Sequence, residues 1–140
     1  MVIGERTAED IKINIGSAVE LENPKKMEVR GRDLRTGFPK NIIIDSNDVF
    51  KAIDEPVRTI LGAVRNTLEK TPPELASDIM LNGIVMTGGT SLLYNLDRRL
   101  SDEAKLPVLV SEEALNCVVI GTGIAVENID TYRKGFLMES

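Results

Sequence analysis

The chain has 140 residues, 42% of them hydrophobic and 28% charged, with a formal net charge of −5. That composition suits one folded domain, or two small subdomains sharing a core. The Lys and Arg residues are scattered along the sequence, and three Phe and two Tyr are the only aromatics. Both features argue against nucleic acid as a partner and against base-stacking platforms.

With no His and one Cys, the chain holds no Ser-His-Asp or Cys-His nucleophile and no His/Cys metal site. Cys117 lies in an apolar run, as a small buried residue in a reducing compartment would. No apolar stretch is long enough to span a membrane and no signal peptide is visible, so an intracellular, soluble protein is expected.

In chain order, Thr7 and Asp10 are placed as a capping-box variant for a first helix over Thr7–Ala18, with Ile11 and Ile15 on its inner face. Glu9 and Lys12 project from neighbouring positions of that helix, as a solvated pair worth ~0.2–0.5 kcal/mol. A polar loop leads to Met27–Gly31, which alternates as a half-buried strand should, and Asn41–Asp45 forms its antiparallel partner. Ser46 or Asn47 then caps a helix that carries Val49, Phe50 and Ile53. Pro56 predicts a break there, because proline is costly inside a helix and welcome at its first position. Two helices are therefore expected, one ending near Asp54 and one carrying Val57, Ile60, Leu61, Val64 and Leu68. The boundary between residues 1–55, a small α+β subdomain, and residues 56–140 falls at that joint.

Thr71-Pro72-Pro73-Glu74 opens another helix, and Asn82-Gly83 ends it. The stretch Ile84-Val85-Met86-Thr87-Gly88-Gly89-Thr90-Ser91 follows, an apolar strand that stops at two glycines before a helix carrying Leu92, Leu93, Leu96 and Leu100. Glycine lets backbone approach a ligand closely, and the first N–H groups of a helix point outward unpaired. The pattern can accept an anion or nucleotide, and it equally serves as a plain strand-to-helix turn. Leu106–Val110 is a second buried strand. A final helix spans Ala114–Asn128, where Gly121 and Gly123 suggest close packing against a sheet or ligand. The charged tail, Thr131–Ser140, is expected to fray. Two apolar strands cannot make a covered sheet alone, so the chain looks like part of a larger domain.

Several stretches, in order, resemble one family. They are Ile3-Gly4-Glu5-Arg6-Thr7-Ala8-Glu9 with Ile11-Lys12, then Val29-Arg30-Gly31-Arg32, then Thr71-Pro72-Pro73-Glu74-Leu75. The last is Val85-Met86-Thr87-Gly88-Gly89-Thr90 through Asn95-Leu96-Asp97. The sequence resembles the C-terminal part of the rod-shape-determining bacterial actins, the MreB/Mbl family. The resemblance implies the C-terminal half of an actin-like ATPase fold (α/β, ribonuclease H-like). It implies ATP as ligand, with Mg²⁺ held by parts of the fold upstream, and self-assembly into membrane-associated cytoplasmic filaments that work with cell-shape and wall-synthesis proteins.

The resemblance also implies a nucleotide site at Gly88, Gly89, Thr90 and Ser91, faced by Glu9, Asp10, Ile11 and Lys12. There the acid can accept a ribose hydroxyl and the lysine can approach the base. Thr90 stands where the family often has a third glycine, and is expected to cap the following helix. No aspartate here begins an Asp-x-Gly motif, the kind of segment that carries the family's phosphate loops and Mg²⁺ groups. Phosphoryl transfer depends on those positioning groups, so this chain alone is expected to be inactive and to self-associate through open strand edges. Two alternatives carry other functions: a sugar- or acetate-type kinase of the same superfamily, and an interaction module that binds no nucleotide.

Overall fold

The computed structural model describes residues 1–136, with side chains as far as Arg133. Helix α1 spans Glu5–Ile15, earlier at both ends than the expected Thr7–Ala18. The Thr7/Asp10 capping box does not form. Gly4 is the N-cap, without a side-chain bond, and its carbonyl accepts from Ala8 N at 3.0 Å. Gly16 stops the helix. A Cβ there would overlap the Lys12 carbonyl and lie 3.1 Å from Leu93 Cδ1, so only glycine lets the chain turn this close to the second half of the molecule.

Strands β1 (Lys26–Arg32) and β2 (Pro39–Asp45) form an antiparallel hairpin with Val29 opposite Ile42 and Glu28 opposite Ile43. Val29, Met27, Ile42 and Ile44 pack with Ile11, Ile15 and Val49 in a first core, while Ile43 faces outward. Period-2 alternation requires that split.

The expected break at Pro56 is absent. Helix α2 runs unbroken over Ser46–Glu69, with Pro56 inside it. Its cap is Asp45 rather than Ser46 or Asn47: the Asp45 carboxylate accepts from Asn47 N and Asp48 N, and the Asp48 carboxylate in turn accepts from Asp45 N. Proline removes one helical bond and crowds the preceding turn, but here it sits on the exposed face while the apolar stripe continues beneath it through Val49, Val57 and Leu61. Packing of that stripe on both sides of the proline outweighs the local cost. The expected 55/56 boundary therefore falls inside one helix, whose Ile53 packs against both hydrophobic cores.

Helix α3 (Pro73–Asn82) ends at Gly83, whose φ of +74° favours glycine. Strands β3 (Ile84–Met86) and β4 (Val108–Val110) pair in parallel, Ile84 opposite Val108 and Met86 opposite Val110. Helix α4 spans Leu96–Ala104. Its Leu96 and Leu100 join Ala18, Val57 and Leu61 in the second core, against which Ile84, Met86 and Val108 pack. On the sheet's other face, Val85 and Leu109 are 62% and 61% exposed.

Helix α5 covers Cys117–Glu127 and α6 Ile129–Phe136, so the expected last helix starts later than Ala114, ends next to Asn128 as expected, and is followed by a further helix. The fraying expected from Thr131 does not start there: that part is helical to Phe136, and residues 137–140 lie outside the described residues. Among the described residues nothing packs closely on Gly121 or Gly123, where a Cβ would meet nothing within 4 Å. Val118, Val119, Ile120, Ile124 and Val126 of α5 are all exposed. Cys117 is half-buried rather than buried, its Sγ 3.1 Å from Ser111 Oγ.

Candidate functional site

A cavity of about 500 Å³ opens between α1 and the segment that follows β3. Glu9, Lys12, Ile13 and Gly16 form one wall; Gly89, Thr90, Leu92 and Leu93 form the other. Of the eight residues singled out from sequence, Glu9, Lys12, Gly89 and Thr90 border this space. Glu9 and Lys12 face it as a pair, Nζ to Oε2 2.8 Å, with both side chains substantially exposed. Such a pair exchanges readily with a ligand's polar groups, because little stability is lost when it opens.

The other four lie elsewhere. Ile11 is buried in the first core, and Asp10 is exposed, with its carbonyl accepting from Asn14 Nδ2 at 2.7 Å. Gly88 and Ser91 build the turn from beneath. Gly88 takes φ +83°, its N–H donates to the Ala114 carbonyl at 2.7 Å, and its carbonyl accepts from Ser91 Oγ at 2.7 Å. Ser91 is buried, and its hydroxyl is occupied in holding the turn.

The expected α-helix does not start at this turn. A 3-10 turn over Gly89–Leu92 comes first, without a side-chain cap from Thr90, and α4 begins only after Asn95, which adopts φ +61°. Leu92 is therefore exposed on the cavity wall rather than buried in a helical stripe. What remains of the anion-accepting geometry is the close approach of backbone at the glycines, with little help from a helix dipole.

Sequence reasoning missed Leu21, Lys25, Ser46 and Tyr94, which also line the cavity. Buried Ser46 fixes Lys25: its N–H donates to the Lys25 carbonyl at 2.9 Å and its Oγ accepts from Lys25 N at 3.1 Å. The Tyr94 carbonyl accepts from Ala18 N at 2.8 Å, and the Lys25 ammonium lies 5.9 Å from the Tyr94 ring centroid. These positions come together only through tertiary contacts, so no local motif announces them.

The seam between the two walls is fastened by Arg99. Its Nη2 lies 2.7 Å from Asp54 Oδ1 and its Nη1 donates to the Ala18 carbonyl at 2.7 Å. Asp54 also meets Arg58 Nε at 2.8 Å.

Comparison with known proteins matches residues 1–134 to the family model described as MreB/Mbl protein. The chain is 44% identical over 134 residues to the cell shape-determining protein Mbl of Bacillus cereus, covering 96% of this chain and 40% of that protein. It is 49% identical over 131 residues to the cell shape-determining protein MreB of Escherichia coli, covering 94% of this chain and 38% of that protein. The crystal structure of Spiroplasma citri MreB5 bound to ADP superposes with a TM-score of 0.88 at 40% identity, over 96% of this chain and 41% of that one. The AMPPNP-bound structure of the same protein gives 0.87 at 39% identity, over 98% and 41%. The chain thus spans about two fifths of the length of these relatives, and its fold is the C-terminal part of an actin-like α/β fold. By sequence and by structure, this chain belongs to the MreB/Mbl family of cell shape-determining proteins.

Proposed function

We propose that the chain supplies one side of an adenine-nucleotide site in a bacterial actin-like cytoskeletal protein, the remainder coming from the rest of the family fold. The observation that carries this reading is the single cavity onto which Glu9, Lys12, Gly89 and Thr90 converge from two different cores. Two structures of one relative, Spiroplasma citri MreB5, hold ADP and AMPPNP, and a volume near 500 Å³ suits a ligand of nucleotide size. In this arrangement Glu9 accepts a ribose hydroxyl, Lys12 approaches the base, and the backbone at Gly89 and Thr90 lies toward the phosphates. Gly88 and Ser91 act by shaping that turn. The two hydrophobic cores, joined through α2, correspond to two subdomains of the fold, one for each wall.

The groups that hold Mg²⁺ and orient the attacking water belong to the part of the fold outside this sequence, so the complete protein binds and hydrolyses ATP while this chain only binds it. In the complete protein the nucleotide governs assembly of copies into filaments at the cytoplasmic face of the membrane, where cell-shape and wall-synthesis proteins meet them. Calorimetric titration with ADP and a phosphate-release assay test the local part of the reading. The expected result is a Kd on the order of 0.1–1 mM with no Mg²⁺-dependent phosphate release. Absence of ADP binding at millimolar concentration overturns the site, and clear turnover overturns the division of labour.

A further inference from the structure

Tyr94 is a large side chain with no place in either core. The residue is 60% exposed although its backbone is fixed, by the Ala18 bond and a parallel bridge to Ser17. Tyr94 borders the cavity, on the same segment as Gly89 and Thr90. Lys25, clamped by Ser46, holds its ammonium over the ring. An exposed aromatic on a rigid backbone is a stacking surface that loses little conformational entropy when a planar ligand arrives.

We infer that Tyr94 is the stacking wall for the base of the bound nucleotide, with Lys25 setting the ring's orientation. The inference rests on the nucleotide-binding reading above and adds a residue to it that no motif marks. The division of the cavity supports it. Phosphates need backbone N–H groups and close approach, which the glycine turn offers. A purine needs apolar contact and a π-face, which Leu92, Leu93 and Tyr94 offer. Lys25 lies over the ring in the geometry of a cation–π contact, and both residues border the cavity.

The chain's two tyrosines and lack of tryptophan make the test direct. In a Tyr132→Phe background, Tyr94 is the only tyrosine fluorophore. ADP is expected to quench it, and pyrophosphate, which has no base, is not. By calorimetry, Tyr94→Ala is expected to weaken ADP binding by about 5- to 100-fold, the usual worth of one base–aromatic stack. Tyr94→Phe should stay within about twofold, because the ring is kept. The melting temperature of both variants should match the parent's, since the ring packs in neither core. Quenching by ADP together with selective loss in Tyr94→Ala supports the inference. ADP affinity unchanged in Tyr94→Ala overturns it while leaving the nucleotide site standing. Equal quenching by pyrophosphate, or a lowered melting temperature that accounts for the lost affinity, also overturns it. No ADP binding by the unmodified chain overturns both.

Discussion

Replacing Arg99 by alanine should destabilise the chain by about 2–4 kcal/mol. The guanidinium makes two contacts at once, to Asp54 and to the Ala18 carbonyl, each at 2.7 Å. A hydrogen bond from a charged donor is worth about 1.5–3 kcal/mol, and breaking one side of a fully buried ion pair costs about 3–5 kcal/mol. Here the side chains of Arg99 and Asp54 are 17% and 21% exposed, and Asp54 keeps Arg58 as a second partner, itself 73% exposed. Water and Arg58 therefore recover part of the pair's contribution, while the loss at Ala18 stays nearly whole because that residue is completely buried. For a chain of this size, about 2–4 kcal/mol lowers the melting temperature by about 5–15 °C. Urea unfolding followed by circular dichroism at low micromolar concentration measures the change, and Arg99→Lys should lose about half as much, keeping one donor. A loss below about 0.5 kcal/mol would refute the view that Arg99 fastens the two cores together.

Gly88→Val should weaken ADP binding far more than Glu9→Ala. Valine is strained at φ +83° and reshapes the turn, whereas Glu9 contributes one hydrogen bond worth ~0.5–1.5 kcal/mol; the reverse order in a titration contradicts the site. The Asp33 carboxyl is held below its ordinary pKa of 3.8 by the backbone N–H groups of Arg35 and Thr36 and, less strongly, by Lys40, with burial opposing. Because the folded value is the lower one, its stabilisation is fully present above the unfolded pKa and is lost as pH falls through the folded one. The gap in urea midpoint between the parent and Asp33→Asn should therefore be constant from pH 7 to about 5 and close below about pH 4; a gap that closes near neutrality sinks the assignment. The chain should also self-associate at micromolar concentration, since β3 and β4 make only a two-stranded sheet and α5 is apolar and exposed. Light scattering that finds a strictly monomeric, folded species refutes this.

The hairpin, the strand that leads to the glycines and the residues of both cores were legible, because burial on one face writes a period into the sequence. The continuity of α2 was not. Pro56 is a strong local signal, and what overrides it is a stripe whose two halves pack in different cores, which no window around the proline contains. The start of α4 was misplaced for a related reason. Leu92 has helical spacing with Leu96 and Leu100, yet it lies on the cavity wall while they are buried. On the site, the glycines announced themselves through conformation and Glu9 with Lys12 through family resemblance. Tyr94 and Lys25 carry neither mark, and their importance arises only where Ser46 and Ala18 hold their backbones.

The two walls of the cavity come from different cores, and this connects stability to the site. Glu9 and Lys12 ride on α1, which is anchored by Ile11 and Ile15 in the first core. The turn that carries Gly89 and Thr90 leads into α4, which is anchored by Leu96 and Leu100 in the second. Between them stand few contacts: Gly16 against Leu93, Ala18 N to the Tyr94 carbonyl, and Arg99 to Ala18 and Asp54. Three of them cluster within the short stretch Gly16–Ala18 that follows α1, and the fourth joins Arg99 to Asp54 on α2. That stretch therefore helps to set the width of the cavity, together with α2, which packs in both cores, and a ligand that touches both walls favours the arrangement in which the stretch is docked. By linkage, nucleotide bound across the cavity stabilises the seam by as much as a docked seam strengthens nucleotide binding. Rigid glycine-turn geometry alone would give a site indifferent to the position of α1; a site built across Gly16–Ala18 reports that position.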